Sequence, residues 1–465
     1  MDQAPELTDD VRTLVGNPRK AILSMTGPIA ISNLIQCANS FIDAVWVAGL
    51  GTAALAANGV IFPFFYVMLA IGTGIGTGAT QAIARRIGAS DYENTHRVAS
   101  QAVYMSMLAG AVLAVVLTLS AEPLLMSAGA GEYIEECMDY ALPFFICAPV
   151  AISTGIFTAL LRAEGAAKRS MIMNVAGAVV NIILDPIFIY GFGWGVAGAA
   201  WATVIAMGTS SLIAMYWYFG KRDTFVRIPL RNFRFDRAID RDILSVGIPA
   251  SMEMALMSLS CLLMNVIIYS VDPVDGLAVY STGWRALNLL MIPAMALGYA
   301  LIPVTAASYG AKRYDKVRES LRFSNRFGTA MMAVLAVVTY VAAPLIVAGF
   351  TYTEASKPLA PAMVEFIRIS STFLVFTSVA FAGYGFFQGL GMGVKSLMCT
   401  SLVNFLGIVV CYMLTSVGTL EALWWGFAAA QVVGSLITFA WATLLMRSLM
   451  REYPKVRQSP PPQGS

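Results

Sequence analysis

Twelve stretches of mostly apolar residues recur along the chain, at about 20–47, 53–80, 97–120, 134–161, 168–190, 195–219, 243–270, 277–305, 322–349, 360–390, 395–417 and 420–449. Each is roughly twenty residues or longer, enough to cross a ~30 Å hydrocarbon core as a helix. In lipid a spanning segment must satisfy its own backbone N–H and C=O groups, so the choice lies between helices and closed barrels. A barrel needs shorter segments of alternating polarity, and none are present. Composition agrees, with 58% hydrophobic and 12% charged residues against about 25% charged in soluble domains. The expected fold class is an all-α integral membrane protein of twelve transmembrane helices.

Charge gives those helices a direction. The connectors alternate between basic and neutral or acidic, and of the 30 basic residues all but Arg285, Lys357 and Arg368 fall on one side. The densest cluster is 221–241, with Lys221, Arg222, Arg227, Arg231, Arg234, Arg237 and Arg241. Opposite connectors carry acids such as Glu132, Glu135, Glu136 and Asp139. The positive-inside rule then places both termini in the cytoplasm, which requires an even number of spans. Localisation in the plasma (inner) membrane is the matching expectation.

The chain also repeats itself. LLRAEGAAKRSM (160–171) lines up with FFQGLGMGVKSL (386–397), RIGASDYEN (86–94) with SYGAKRYDK (308–316), and LSMTGPIA (23–30) with LSVGIPAS (244–251). Each motif falls at the same place in a six-span unit, so the two six-helix lobes are parallel repeats. The expected division is a lead at 1–19, an N-lobe at 20–220, a basic linker at 221–242, a C-lobe at 243–449 and a disordered tail at 450–465. The tail ends in Pro- and Ser-rich sequence.

Against this apolar background a few polar residues stand out. Asp185 lies in NVAGAVVNIILDPIFIY (174–190), just before Pro186, and shares a helical face with Asn174 and Asn181. Asp43 continues a stripe of Gln36, Asn39 and Ser40 in the first span. A charge near the bilayer centre costs ~2.5–3.5 kcal/mol even on the lenient insertion scale, so such residues are functional-site hypotheses by default. Two carboxylates facing each other in one lobe share a proton readily. With Asn181 and the Thr203 hydroxyl they could equally ligate Na⁺. The alternative is a hydrogen-bonded network that only orients helices. In the second lobe Asp185 falls opposite Cys411 and Asn181 opposite Gly407, so ion coupling is expected in the N-lobe alone. Glu253 and Arg285 either pair as a structural ion pair or line a cavity for a cationic substrate.

Other chemistry is disfavoured. The six cysteines show no paired spacing, His96 is expected in a loop, and no HExxH or GxSxG occurs. The run GTGIGTGAT (72–80) lies inside an apolar span without a preceding strand or a Lys-Ser/Thr pair, so helix packing is expected there instead of a phosphate loop. The polar, mixed-charge start does not read as a cleavable signal peptide. Abundant Met (25) suits a deformable, promiscuous pocket. Nothing suggests a nucleic-acid partner.

Together, Pro28 with Asp43, LRAEG…KRSM, Asn181-x-x-x-Asp185-Pro186 and GIPASMEM (247–254) resemble the multidrug and toxic compound extrusion (MATE) family, closest to its prokaryotic DinF-like branch. The resemblance covers essentially all twelve spans. It implies a V-shaped bundle of two lobes, acting as a monomeric antiporter. Such an antiporter exports small amphipathic or cationic compounds in exchange for H⁺ or Na⁺, without another cofactor. It also implies an N-lobe cation site at Asp43, Asn181, Asp185 and Thr203. Gln36, Asn39, Ser40, Thr158, Asn174, Glu253 and Arg285 are the expected polar residues of the cavity. The family often has Asn where Thr158 stands, four residues before the motif's arginine, and Gly where Ala163 stands. A flippase for lipid-linked amphiphiles is the alternative within transport, ahead of a passive channel.

Overall fold

The computed structural model describes residues 6–229, 235–351 and 357–458, with side chains as far as residue 451. The described chain is almost entirely helical. The first half forms α1 (Asp9–Val15), α2 (Pro18–Ala48), α3 (Thr52–Gly88), α4 (Tyr92–Leu119), α5 (Ala121–Ser127), α6 (Ile134–Ile146), α7 (Ala148–Ala163), α8 (Ala167–Pro186) and α9 (Gly195–Met215). The second half forms α10 (Arg237–Val271), α11 (Asp275–Gly310), α12 (Tyr314–Ala348), α13 (Ala360–Gly389), α14 (Gly393–Leu414) and α15 (Leu420–Gln458).

Eleven helices are long and apolar enough to cross a bilayer, and a twelfth crossing is available as a pair bent by 52° at Cys147. The fourth apolar stretch is therefore two helices, α6 and α7, with Pro149 in the first turn of α7. Proline is tolerated there because the first-turn N–H groups have no intrahelical acceptor anyway. Several differences from the sequence reading sit at ends. The lead holds α1, capped by the Thr8 side chain and burying Val11 and Leu14. His96 lies on the second turn of α4, not in a loop. The last helix runs to Gln458, into the segment expected as a tail; residues 459–465 lie outside the described residues.

The repeat is visible in the backbone. Ser90 and Lys312, at matching places, both take left-handed φ values of 59° and 53°. Gly165 and Gly391 do the same at 83° and 78°, in the turns of the two aligned LRAEG-type motifs. A left-handed residue at each site reverses the chain tightly between helices, which favours glycine and tolerates a polar residue.

The helices cluster into two units: 1–16 with 27–251, and 17–26 with 252–465. In unit 1, α7 packs against α3 and α4, and α8 packs along α9. One core gathers Ile61, Met68, Tyr140, Phe144 and Phe145. The other gathers Ile83, Val98, Phe157, Leu160 and Met173, and it takes in Phe225, Val226 and Ile228 of the linker. In unit 2, α13 packs against α11, α12 and α15. There Tyr280 stacks on Trp424 at 6.0 Å, and Phe366 meets the Trp424 edge at 4.7 Å.

The glycine run of α3 works as a two-sided packing seam. Gly72 and Gly76 face Ile152, Gly155 and Ala159 of α7, while Gly74 and Gly78 face Ile243, Gly247 and Ser251 of α10. Small residues let the helix backbones approach, which is how helices associate where no hydrophobic effect drives them. A Cβ on Gly78 overlaps the Ile243 carbonyl, which cannot swing away. Gly78→Ala is therefore expected to destabilise unit 1 by about 1–3 kcal/mol. Gly59→Ala, on the same helix with no atom within 4 Å of the added carbon, should be neutral or stabilising by up to ~1 kcal/mol. Thermal unfolding of both variants in one detergent checks the contrast.

Candidate functional site

α2 and α8 are joined by side chains at a constant offset. The Asn39 amide donates to Asn181 Oδ1 at 2.7 Å, and the Asn174 amide donates to Ser32 Oγ at 3.0 Å; each pair is 142 residues apart. A constant offset means the two helices run in the same direction and in register, with one rung every seven residues. Farther along, the Tyr190 hydroxyl donates to the Trp46 carbonyl at 2.7 Å. Asp43 and Asp185 share the 142-residue offset of the two rungs and so occupy the same level.

On the α8 side this rung is buried, while Asn39 and Asp43 of α2 are half-buried. Asp185 is fully buried and Asn181 only 2% exposed. The Asn181 amide donates to Asp185 Oδ1 at 2.8 Å while its own oxygen accepts from Asn39. That accounts for Asn181 and half of Asp185. Three acceptor oxygens are buried without a hydrogen-bond partner among the described residues: Asn39 Oδ1, Asp43 Oδ1 and Asp185 Oδ2. Leaving acceptors unmet in the interior costs about 1–3 kcal/mol each, and more for a charge. As acceptors, such oxygens are met by a hydrogen-bond donor or a metal cation, and the two carboxylates also by a proton. The buried Tyr140, which sequence reasoning missed, interacts electrostatically with both Asp43 and Asp185. Its position in an acidic-to-apolar span carried no polar stripe to mark it.

Backbone geometry isolates the end of α8. Pro186 has no N–H for the Ile182 carbonyl, and the next turn, Ile187–Gly191, widens to a π-helix. The start of α9 closes on that widened turn: a Cβ on Gly198 would lie 2.7 Å from the Phe188 carbonyl carbon. Thr203 spends its hydroxyl proton on the Ala199 carbonyl of its own helix at 3.1 Å, which leaves its lone pairs to accept. Gln36 and Ser40 are exposed, and Ser40 donates back to the Gln36 carbonyl. They stand outside the rung network. Thr158 reaches Asn174 Oδ1 at 3.4 Å, so Thr158, Asn174 and Ser32 form a second polar chain. Ser32 carries no signal in the sequence, because a lone serine is common in an apolar helix.

The second unit holds one buried acid of its own. Glu253 Oε2 accepts from the Gln388 amide at 3.0 Å, Gln388 also reaches Ser396, and Glu253 Oε1 has no hydrogen-bond partner among the described residues. Arg285 is exposed and makes no ion pair among the described residues. The Glu253–Arg285 pair does not form; an amide on α13 takes the place of the guanidinium.

A further buried acid, Glu164, stands in the repeat motif LLRAEGAAKRSM. It caps the basic end of α7, is 2% exposed, and accepts the Val226 N–H at 2.9 Å. Nearby, Asp223 holds Arg169 and Lys221, each at 2.8 Å. Burial pushes the Glu164 carboxyl from its ordinary 4.5 up to about 8, against the opposing pull of the Val226 N–H and the Arg169 charge. The docked linker thus favours a protonated Glu164. Its contribution to docking is complete below pH about 4.5 and is lost as pH rises through about 8. Amide exchange at Val226 should accelerate across that window, and Glu164→Gln should flatten the dependence.

The MatE family profile matches residues 28–187 and 249–413, one stretch in each half of the chain. The multidrug export protein MepA of Staphylococcus haemolyticus is 24% identical over 419 residues, covering 89% of this chain and 91% of its own. A multidrug resistance MATE family transporter of the MOP superfamily, solved in an outward-facing conformation, superposes with a TM-score of 0.93 at 33% identity, covering 96% of this chain and all of its own. A MOP superfamily transporter from Pyrococcus furiosus gives a TM-score of 0.92 at 33% identity with the same coverage; the reverse polarity of its binding pocket is held to suggest a different function. With both halves matched and the helical frame superposing on solved members, the chain belongs to the MATE family and is a membrane transporter rather than an enzyme.

Proposed function

We propose that the protein is a secondary active antiporter that exports small amphipathic or cationic compounds in exchange for H⁺ or Na⁺. The observation that carries this reading is the trio of buried, partnerless oxygens of Asn39, Asp43 and Asp185 around Asn181. A site with surplus acceptors in low dielectric gains most from a small cation and needs no further donor. The donor set suits a proton on the carboxylate pair, or Na⁺ held by carboxylate, amide and the Thr203 hydroxyl. Export of drugs fits the multidrug activity carried in the names of relatives such as MepA.

In the proposed cycle the ion enters from outside and neutralises the Asp43–Asp185 rung. Neutralisation removes the field that a cationic substrate would feel and relaxes the Asn39–Asn181–Asp185 chain. Because coupling is reciprocal, an ion that weakens substrate binding is itself weakened by substrate, and that suffices for exchange. The lobes then alternate access, and the ion leaves to the cytoplasm, the side that the positive-inside rule predicts for the basic connectors and both termini. Polar groups at Gln36, Ser40, Thr158, Asn174, Glu253 and Arg285 serve the substrate path, and one chain makes the working unit.

The test uses purified protein in vesicles loaded with ethidium, with a pH gradient and a Na⁺ gradient imposed in turn. Gradient-driven movement should fall at least tenfold in both Asp43→Asn and Asp185→Asn, and the effective gradient identifies the ion. Full coupled movement in both variants would falsify the assignment. Movement without either gradient would indicate a facilitator. Failure of ethidium with transfer of a labelled lipid would favour a flippase.

A further inference from the structure

The repeat that builds the two units places the same helical face in two different environments. α4 and α12 begin at Tyr92 and Tyr314, each after a left-handed residue and a cap with nearly identical backbone angles (φ −92°, ψ 73° at Asp91; φ −94°, ψ 73° at Arg313). In that register His96, Ser100 and Tyr104 correspond to Arg318, Arg322 and Arg326.

In unit 1 the linker covers this face. Arg227 N–H donates to His96 Nδ1 at 3.1 Å, Ser100 Oγ donates to the Pro229 carbonyl at 3.4 Å, and the Phe225 ring stands 6.3 Å from His96. Ser100 is 2% exposed as a result. In unit 2 the three arginines are exposed and have no ion-pair or hydrogen-bond partner among the described residues. The acids of the same turns are engaged elsewhere: Glu319 with Arg19 at 2.7 Å and Asp315 with Arg313 at 2.8 Å. At the place that corresponds to the linker, unit 2 has the last turns of α15. There α15 runs on as helix to Gln458, in a basic sequence with Arg447 and Arg451. A segment of the same charge is repelled by the ladder.

What lies beneath the ladder indicates its partner. Ala330, Val334, Val338, Val341 and Leu345 continue the same face of α12, and Val341 and Leu345 are 71% and 77% exposed. At ~1.5 Å per residue, Arg326 and Leu345 are separated by ~28 Å, close to the thickness of the hydrocarbon layer. If the apolar stripe meets acyl chains, Arg326 stands at their boundary, and Arg322 and Arg318 follow at ~6 Å and ~12 Å beyond it, in the headgroup layer.

We propose that Arg318, Arg322 and Arg326 form a binding site for the headgroups of anionic phospholipids along α12. The guanidinium fork matches phosphate oxygens in pairs, and its attraction to an anionic surface is worth about fivefold in binding per residue. The ladder takes up, with lipid, the position that the linker fills in unit 1.

Native mass spectrometry of the full chain, titrated with phosphatidylglycerol or phosphatidylcholine, tests this. The wild type should retain phosphatidylglycerol in preference, and R318Q/R322Q/R326Q should lose at least tenfold of that preference. R318K/R322K/R326K should fall between them. R227Q/R237Q/R241Q, with the same loss of charge in unit 1, should behave as wild type. Should the triple variant not fold, the single variants R318Q, R322Q and R326Q should each show a stepwise loss. Equal retention by wild type and the Gln variants would overturn the site. So would an equal loss in the unit 1 control, displacement of the lipid by inorganic phosphate, or increased retention when the chain is truncated after residue 451.

Discussion

The structure is governed by the scarcity of hydrogen-bond partners in hydrocarbon. Helices solve that problem for the backbone, and most side chains avoid it by being apolar or by donating to a carbonyl one turn back, as Ser40 and Thr203 do. The Asp43–Asp185 rung does neither. Asn181 can satisfy one oxygen of Asp185, and Asn39 occupies its remaining acceptor. A further donor for each of the three unmet oxygens would have closed the set. Its absence leaves a site whose stability depends on something brought from solution, which is what a coupling site requires and a purely structural network avoids.

The second unit closes the equivalent place by other means. Cys411, opposite Asp185 in the repeat, is buried and donates its thiol to the Leu423 carbonyl at 3.5 Å. Gly407, opposite Asn181, makes room for the Phe427 ring, 3.4 Å from where a Cβ would stand. The same helical frame thus holds a polar chain in one copy and an aromatic contact in the other. Glu253 does not restore the symmetry, because it lies on α10 and is held by Gln388 of α13, a different pair of helices.

Much of this could be read from residue order. Span length, the repeat and the common face of Asn174, Asn181 and Asp185 all follow from helical period and the cost of a charge in lipid. What could not be read depends on contacts between distant segments. The break at Cys147 needs only Pro149 and a change of direction, and an apolar run looks continuous across it. Gln388 was one polar residue in a glycine-rich motif until Glu253 met it. Glu164 looked like a connector acid, because nothing nearby in sequence announces that residues 225–228 return to bury it. The sequence reads as a loop at His96 for a similar reason: the polar first turns of α4 are covered by chain more than a hundred residues later.

That covering has a topological consequence. Two copies of a six-span unit joined in one chain need one connector, and a connector can be tailored to the copy it leaves. Here it is: Phe225, Val226 and Ile228 are core residues of unit 1, and Glu164, His96, Ser100 and Gln101 receive its backbone. In the second copy the matching face is exposed, and Arg318, Arg322 and Arg326 have no partner among the described residues. A helix in that position must carry residues that are stable without a protein cover. At the edge of a bilayer, long side chains with charged heads meet that demand, since their stems lie along apolar surface while the guanidinium stays among headgroups and water. Histidine, serine and tyrosine in one copy and three arginines in the other are therefore two solutions to a single geometric problem, one for a face the linker covers and one for a face left exposed.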